Sequence, residues 1–207
     1  MKMGIIGSGF ETINISPIKI PNSDGSDGYS YGFPPELQEK VDNKIEYIKM
    51  HRGEVISSCV DIDHLLGESI SQFFLKDNAE KREIFHKLIL DVPDFSISKK
   101  KNILKSIMEK HPDEFRAFSP EERKKFFEEL NYIIKIRNAL AHGDVFYDYD
   151  ADKVLLRYYH SQQNKEEVLD QKFFDEIRIK ISTLVSNFLN GGLLDLTNVL
   201  KWSRRAP

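Results

Sequence analysis

The segment SPEERKKFFEELNYIIKIRNALAHG, Ser119 to Gly143, carries the clearest structural signals in the sequence. Ser119 is a residue type that caps helices, Pro120 suits the first helical position, and Glu122 completes a capping box. Gly143 is a residue type that ends helices. Between these signals, apolar side chains recur every three or four residues, namely Phe126, Phe127, Leu130, Ile133, Ile134 and Leu140. The pattern predicts a core helix from Ser119 to His142.

The flanking sequence predicts further helices and one short β element. Apolar periodicity predicts helices over three earlier ranges, 35–76 (two helices, or one bent helix), 80–90 and 98–110. Alternation of apolar and polar residues in 145–149 and 154–158 predicts a β-hairpin, and a last long helix carries its apolar residues between Phe173 and Phe188. The fold class predicted is all-α: an up-down antiparallel helical bundle with a small β-hairpin inserted before the last long helix.

Three regions follow from the distribution of turn-forming residues. Residues 1–35 cluster Gly, Ser, Pro, Asn and Asp and predict an irregular N-terminal arm, in which Ile13, Ile15, Ile18 and Ile20 allow a short extended stretch. The glycines from Gly4 to Gly9 predict a loop, because their order does not match a dinucleotide-binding turn. Residues 36–190 form the predicted helical domain, and 191–207 form a C-terminal tail.

Composition excludes several classes of function. Thirty Lys and Arg against 33 Asp and Glu give a formal charge of -3, so any contact with nucleic acid must be local. The sequence has no signal-like apolar run, which predicts a cytoplasmic protein without membrane contact. The single cysteine, Cys59, lies on an apolar stripe and is expected to be buried and inert. The histidines lack the spacing of metal ligands, so neither a metal nor a cofactor is expected.

The last turn of the core helix carries a possible chemical site. Asn138 and His142 are four residues apart and share one helix face, whereas Arg137 must reach round to join them. Arg137 also continues the apolar stripe, so its charge needs a partner, and Asp63 on an earlier stripe is the predicted one. An Arg–Asp pair of this kind can be a purely structural bridge, and a His before a terminal Gly can simply complement the helix dipole.

The segment Ile136-Arg137-Asn138-Ala139-Leu140-Ala141-His142-Gly143 resembles the motif of the HEPN family, an Arg followed after four to six residues by a His, often with Asn after the Arg. Two earlier segments, 61–74 and 98–104, are similar to earlier helices of that family. The resemblance spans roughly residues 36–190. It implies a helical domain directed at RNA, of the stand-alone prokaryotic type.

Active members of that family are metal-independent endoribonucleases of toxin–antitoxin, phage-defence and RNA-processing systems. By resemblance, His142 would be the acid/base group, Arg137 would stabilise phosphorane charge, and Asn138 would orient one of them. The family site is composite, which implies a homodimer, with an antitoxin or other protein as a further partner. Asp144 departs from the toxin subgroup, which usually has Tyr at this position, and an anionic neighbour there repels phosphate.

Three functions remain open on the sequence. The first is a metal-independent endoribonuclease, the second is a non-catalytic HEPN module that binds RNA, a nucleotide or a protein partner, and the third is a helical interaction protein. The run Lys99, Lys100 and Lys101 at a helix start offers a weak substrate-phosphate contact. A solvated surface is the alternative interpretation of that run.

Overall fold

A computed structural model describes the backbone at 3–6, 12–14, 17–21, 27–31, 35–76, 78–115, 118–148 and 151–190, and side chains within these ranges from 39 to 189. Helices dominate this part of the chain, as predicted. They are α1 (Pro35–Leu75), α2 (Ala79–Phe85), α3 (Ile97–Lys110), α4 (Pro120–His142) and α5 (Gln171–Asn190). A π-helical turn, His86–Leu90, continues α2, and a 3₁₀ turn, Pro112–Phe115, follows α3. The C-terminal tail, 191–207, lies outside the described residues.

Both ends of α4 are formed by the residues that the sequence predicted. The backbone N–H of Ser119 donates to Glu122 Oε2 at 2.7 Å, and the N–H of Glu122 donates to Ser119 Oγ at 3.2 Å. These hydrogen bonds hold the pKa of the Glu122 carboxyl below its ordinary value. At the other end the N–H of Gly143 donates to the carbonyl of Ala139 at 2.7 Å. The capping box and the terminal glycine are therefore confirmed.

The α1 helix is continuous, so of the two alternatives over 35–76 the single helix applies. Gly53 does not interrupt it. A Cβ at Gly53 would meet no atom within 4 Å, which places this residue on an open face of the helix. The backbone there keeps its helical hydrogen bonds at the modest cost of about 1 kcal/mol that glycine has relative to alanine.

The β structure is larger than the predicted hairpin. Strands β5 (Asp144–Asp148) and β6 (Lys153–His160) are the predicted pair, and β7 (Gln163–Val168) extends them. Two N-terminal strands, β1 (Met3–Ile6) and β2 (Thr12–Asn14), complete an antiparallel sheet of order β2-β1-β5-β6-β7. A separate two-stranded sheet pairs β3 (Pro17–Pro21) with β4 (Asp27–Tyr31).

The predicted arm over residues 1–35 thus contains four described strands, of which β2 and β3 overlap the stretch that the sequence allowed to be extended, whereas β1 and β4 were not predicted. Strand β1 includes Gly4, Ile5 and Ile6, which the sequence placed in a loop. Ile5 is the register partner of Val145, so β1 supplies hydrogen-bond partners to the side of β5 that β6 leaves open. An unpaired strand edge exposes backbone donors and acceptors. Pairing with β1 satisfies these groups on β5, even though the N-terminal sequence is rich in turn-forming residues.

By its internal contacts the chain divides into two compact units, Met1–Ile56 with Ile136–Glu176, and Ser57–Lys135 with Ile177–Pro207. The predicted helical domain, 36–190, contributes to both. The core of the first unit includes the following buried residues: Val41, Ile48, Val55, Leu140, Leu156 and Phe174. The core of the second includes Ile62, Leu66, Leu104, Phe126, Leu130 and Phe188, together with Cys59, which is buried as predicted.

In the first unit, Asp152 ties the turn between β5 and β6 to α1. Its carboxylate accepts hydrogen bonds from Lys40 and Lys44 at 2.6 Å each, and from the Tyr147 hydroxyl. The Lys40 ammonium, and then Lys44 and Tyr147, hold the pKa of the Asp152 carboxyl far below its usual range. Asp152 itself has a positive φ of 51°, a conformation that Asp tolerates in tight turns. The contact fixes α1 against the strands that follow α4.

Candidate functional site

The last turn of α4 presents the motif residues with different exposures. His142 and Asn138 are exposed, and Arg137 is half-buried. The Nη1 of Arg137 donates to Oδ1 of Asn138 at 3.1 Å, so the amide of Asn138 orients the guanidinium. Among the described residues no carboxylate pairs with Arg137, and no side chain hydrogen-bonds to His142. An oriented guanidinium and an accessible imidazole therefore lie within the last two turns of α4.

Gly143 fixes where this turn ends. It is buried, and a Cβ there would lie 2.5 Å from the carbonyl oxygen of Ala139 and 2.9 Å from that of Arg157. Both are backbone atoms that cannot move aside cheaply. The absence of a side chain lets the end of α4 approach β6 closely, and β5 begins one residue later. The positions of His142 and Asp144 are thus set by packed backbone on both sides.

Arg52 of α1 reaches the same turn, and the sequence did not single it out. Its Nη2 donates to the carbonyl oxygen of Ala141, the residue before His142, at 3.2 Å. Burial lowers the pKa of the Arg52 guanidinium. Arg52 lies four residues after Ile48 and four before Ile56, so it interrupts an apolar stripe. A charged residue on an apolar stripe is the signal that identified Arg137, and the same signal was present at Arg52.

Asp144 follows the motif as an exposed carboxylate at the start of β5. Its cross-strand register partner is Arg157. The Arg157 guanidinium, however, donates to Glu166 from Nε at 2.8 Å and from Nη2, and it lies over the Phe146 ring at 4.4 Å from the centroid. Among the described residues Asp144 therefore has no cation that neutralises it, and its negative charge faces any anion that approaches this end of β5.

The predicted partner of Arg137 is corrected. Asp63 instead accepts a hydrogen bond from the Lys100 ammonium, with 2.8 Å between Asp63 Oδ2 and Lys100 Nζ. Lys100 is 1% exposed, and Asp91 lies 3.7 Å from the same ammonium. The physical reason is that a fully buried ammonium has a stronger need for a carboxylate than a half-buried guanidinium that still contacts water. Asp63 thus supports the packing of α3 on α1.

The three lysines at the start of α3 have different surroundings. Lys100 is buried, so the expectation that it contacts a substrate phosphate is wrong. It lies four residues before Leu104 on the inward stripe of α3, whereas its neighbours point elsewhere. Lys99 Nζ donates to the carbonyl of Asp94 at 2.6 Å, and Lys101 Nζ donates to Asn131 Oδ1 at 2.6 Å. Neither of these two contacts identifies a substrate site.

Among the described residues, no group of three or more His, Cys, Asp or Glu side chains is arranged to hold a metal ion. None of the helices described has both the length and the apolar character needed to cross a membrane. The site consequently rests on Arg137, Asn138 and His142, with Arg52 and Asp144 beside them. No protein-family model matches the chain, and neither a curated protein nor a solved structure shows significant similarity to it.

Proposed function

We propose that this chain is a HEPN-type, metal-independent endoribonuclease of the toxin, defence or RNA-processing kind. The observation that carries the proposal is the state of Arg137 and His142. Arg137 is held by the neutral amide of Asn138, and His142 is exposed. Neither group is consumed by a carboxylate among the described residues. Both remain available to an anionic substrate, which a structural bridge between Arg137 and an acid would have prevented.

The proposed chemistry needs only these groups and the substrate. The ribose 2′-OH attacks the adjacent phosphorus, a P–O2′ bond forms, and the P–O5′ bond breaks. His142 moves a proton, taken from the 2′-OH or given to the departing 5′ oxygen, and the Arg137 guanidinium stabilises the charge that develops on the phosphoryl oxygens. Asn138 acts as a positioning residue for Arg137. The products are a 2′,3′-cyclic phosphate and a free 5′-hydroxyl.

Incubation of the purified protein with mixed RNA in excess EDTA tests this function directly. Cleavage that survives EDTA and leaves 2′,3′-cyclic phosphate ends is the expected result, because the nucleophile belongs to the substrate. The ends are read by treating the fragments with a phosphatase before and after acid opening of the cyclic ester. Cleavage that stops in EDTA, or that leaves 5′-phosphates, would contradict the proposed mechanism.

We further propose that the chain adopts the up-down antiparallel bundle of that family and acts as a homodimer. One helix turn offers a single imidazole, whereas a proton must be both removed and delivered during the reaction. Two copies related by a two-fold axis would supply a paired acid and base. Light scattering at micromolar concentration should give about twice the chain mass of 24.1 kDa. A monomer at that concentration would count against the composite site.

A second function is favoured by one observation, the exposed Asp144 two residues after His142. Its cross-strand neighbour Arg157 is bound to Glu166, so the carboxylate keeps its negative charge beside the motif. A non-catalytic HEPN module that binds RNA, a nucleotide or a protein partner would tolerate this charge. A well-folded dimer that binds RNA and cuts none of a varied set would select this alternative.

A further inference from the structure

Arg52 is a half-buried cation without a carboxylate partner among the described residues. By contrast, Lys100, Lys44 and Arg157 each lie beside a carboxylate, that of Asp63, Asp152 and Glu166 respectively. Arg52 instead touches only a carbonyl, that of Ala141. Burying a charge without an opposite charge is destabilising, and the burial that lowers the pKa of Arg52 reflects this cost. A neutral side chain of similar length would avoid it.

The number of unused N–H donors on Arg52 also indicates room for a further partner. A guanidinium has five N–H donors, and Arg52 uses one of them among the described residues. Arg123 provides the contrast, since it uses four of its five donors on the carbonyls of Phe118, Met108, Pro112 and Phe115. Arg52 thus keeps most of its hydrogen-bonding capacity while its position is fixed by the hydrogen bond to Ala141.

The hydrogen bond to Ala141 places the remaining N–H donors of Arg52 beside the candidate site. Ala141 precedes His142 in the last turn of α4, and Arg137 lies one turn earlier on the same helix. Carbonyl groups at a helix C-terminus carry partial negative charge, which a nearby cation offsets. An RNA phosphate that reaches this turn meets those carbonyls and the carboxylate of Asp144. A second guanidinium at this position makes the local field more favourable to an anion.

We propose that Arg52 is a second phosphate-contacting residue of this site, which binds the backbone of single-stranded RNA next to the bond that Arg137 and His142 act on. This inference rests on the proposed ribonuclease function. The competing role for Arg52 is purely structural, as a cap on the C-terminus of α4. Capping changes the free energy of unfolding, whereas a phosphate contact changes how RNA affinity depends on salt.

Fluorescence anisotropy with a labelled, 2′-O-methylated single-stranded RNA, which cannot supply the attacking hydroxyl, separates the two roles. Affinity is measured across a series of KCl concentrations for the full chain and for Arg52→Gln. Loss of one phosphate contact should reduce the slope of log affinity against log salt by about 0.7. Lys105→Gln removes the same charge from an exposed surface pair with Glu109 and should leave the slope unchanged.

Arg52→Lys covers the case in which Arg52→Gln fails to fold. It keeps the charge and most of the stem, so the salt slope should persist while affinity falls several-fold, because an ammonium cannot make a forked contact with phosphate. An unchanged affinity in Arg52→Lys, or an unchanged slope with a lowered melting temperature in Arg52→Gln, would overturn the inference and leave the ribonuclease standing. Absence of both RNA binding and cleavage in the unmodified protein would overturn the proposed function and this inference with it.

Discussion

His142→Ala should lower the rate of EDTA-resistant RNA cleavage by about 10²- to 10⁴-fold, the usual effect of removing a general acid or base. The side chain is exposed and has no hydrogen-bond partner among the described residues, so its loss should leave the fold intact. Cleavage of a single defined RNA, followed over time on a denaturing gel, measures the effect. Melting temperature and circular dichroism check that the variant is folded.

The matched control is His160→Ala, which removes an exposed imidazole from the end of β6. It should cleave RNA at the unmodified rate. Arg137→Lys should be nearly as inactive as His142→Ala, because an ammonium cannot reproduce the forked contact of a guanidinium with phosphate oxygens. Undiminished activity in His142→Ala would assign the cleavage to a contaminant or to another site.

Asp63→Ala should lower the free energy of unfolding by about 3 kcal/mol, since it strips the buried Lys100 ammonium of its closest carboxylate. The estimate lies at the low end for a broken buried pair because the Asp63 side chain is 32% exposed and Asp91 stays 3.7 Å from the ammonium. For a chain of this length the melting temperature should fall by about 6–12 °C. Thermal unfolding followed by circular dichroism gives this value.

Two further variants isolate the cause. Lys100→Met in the Asp63→Ala background removes the stranded charge and should recover much of the lost stability, because an apolar side chain of similar size suits a buried site. Asp61→Ala removes an exposed carboxylate two residues away on the same helix and should change stability by less than about 0.5 kcal/mol. An unchanged melting temperature in Asp63→Ala, or no recovery in the double variant, would remove Lys100 as the explanation.

Local signals in the sequence predicted the helices well. The capping box of Ser119 and Glu122 and the terminal Gly143 act within a few residues, so α4 was placed correctly at both ends. The sequence did not predict β7, because this strand is mostly polar. The turn before it, Ser161-Gln162, gave no signal either, because its two residues have positive φ values of 51° and 62° without the Asn or Gly that usually marks such a turn. Among the N-terminal strands, β1 was not predicted because its second partner, β5, lies far away in the sequence, whereas β3 and β4 pair with each other across a segment rich in turn-forming residues.

The candidate site was predictable in its motif and not in its surroundings. Arg137, Asn138 and His142 are close in sequence, so helix geometry placed Asn138 and His142 on one face and Arg137 within two turns of them. Which carboxylate meets which cation depends on tertiary packing. The four-residue spacing of Lys100 and Leu104 was a local sign that Lys100, which is 1% exposed, faces inward. The position of Arg52 on an apolar stripe was visible in the sequence, but its contact with Ala141 was not, because it joins segments far apart in sequence.

The pairing of β1 with β5 has a consequence for the order of assembly. Met3 and Tyr147 are register partners, so β1 must close a loop that contains most of the chain, whereas β5 and β6 are joined by a short turn. Loop-closure entropy favours the short connection first. During synthesis β1 can pair with β2 soon after both have emerged, whereas its pairing with β5 must wait until β5 has been made.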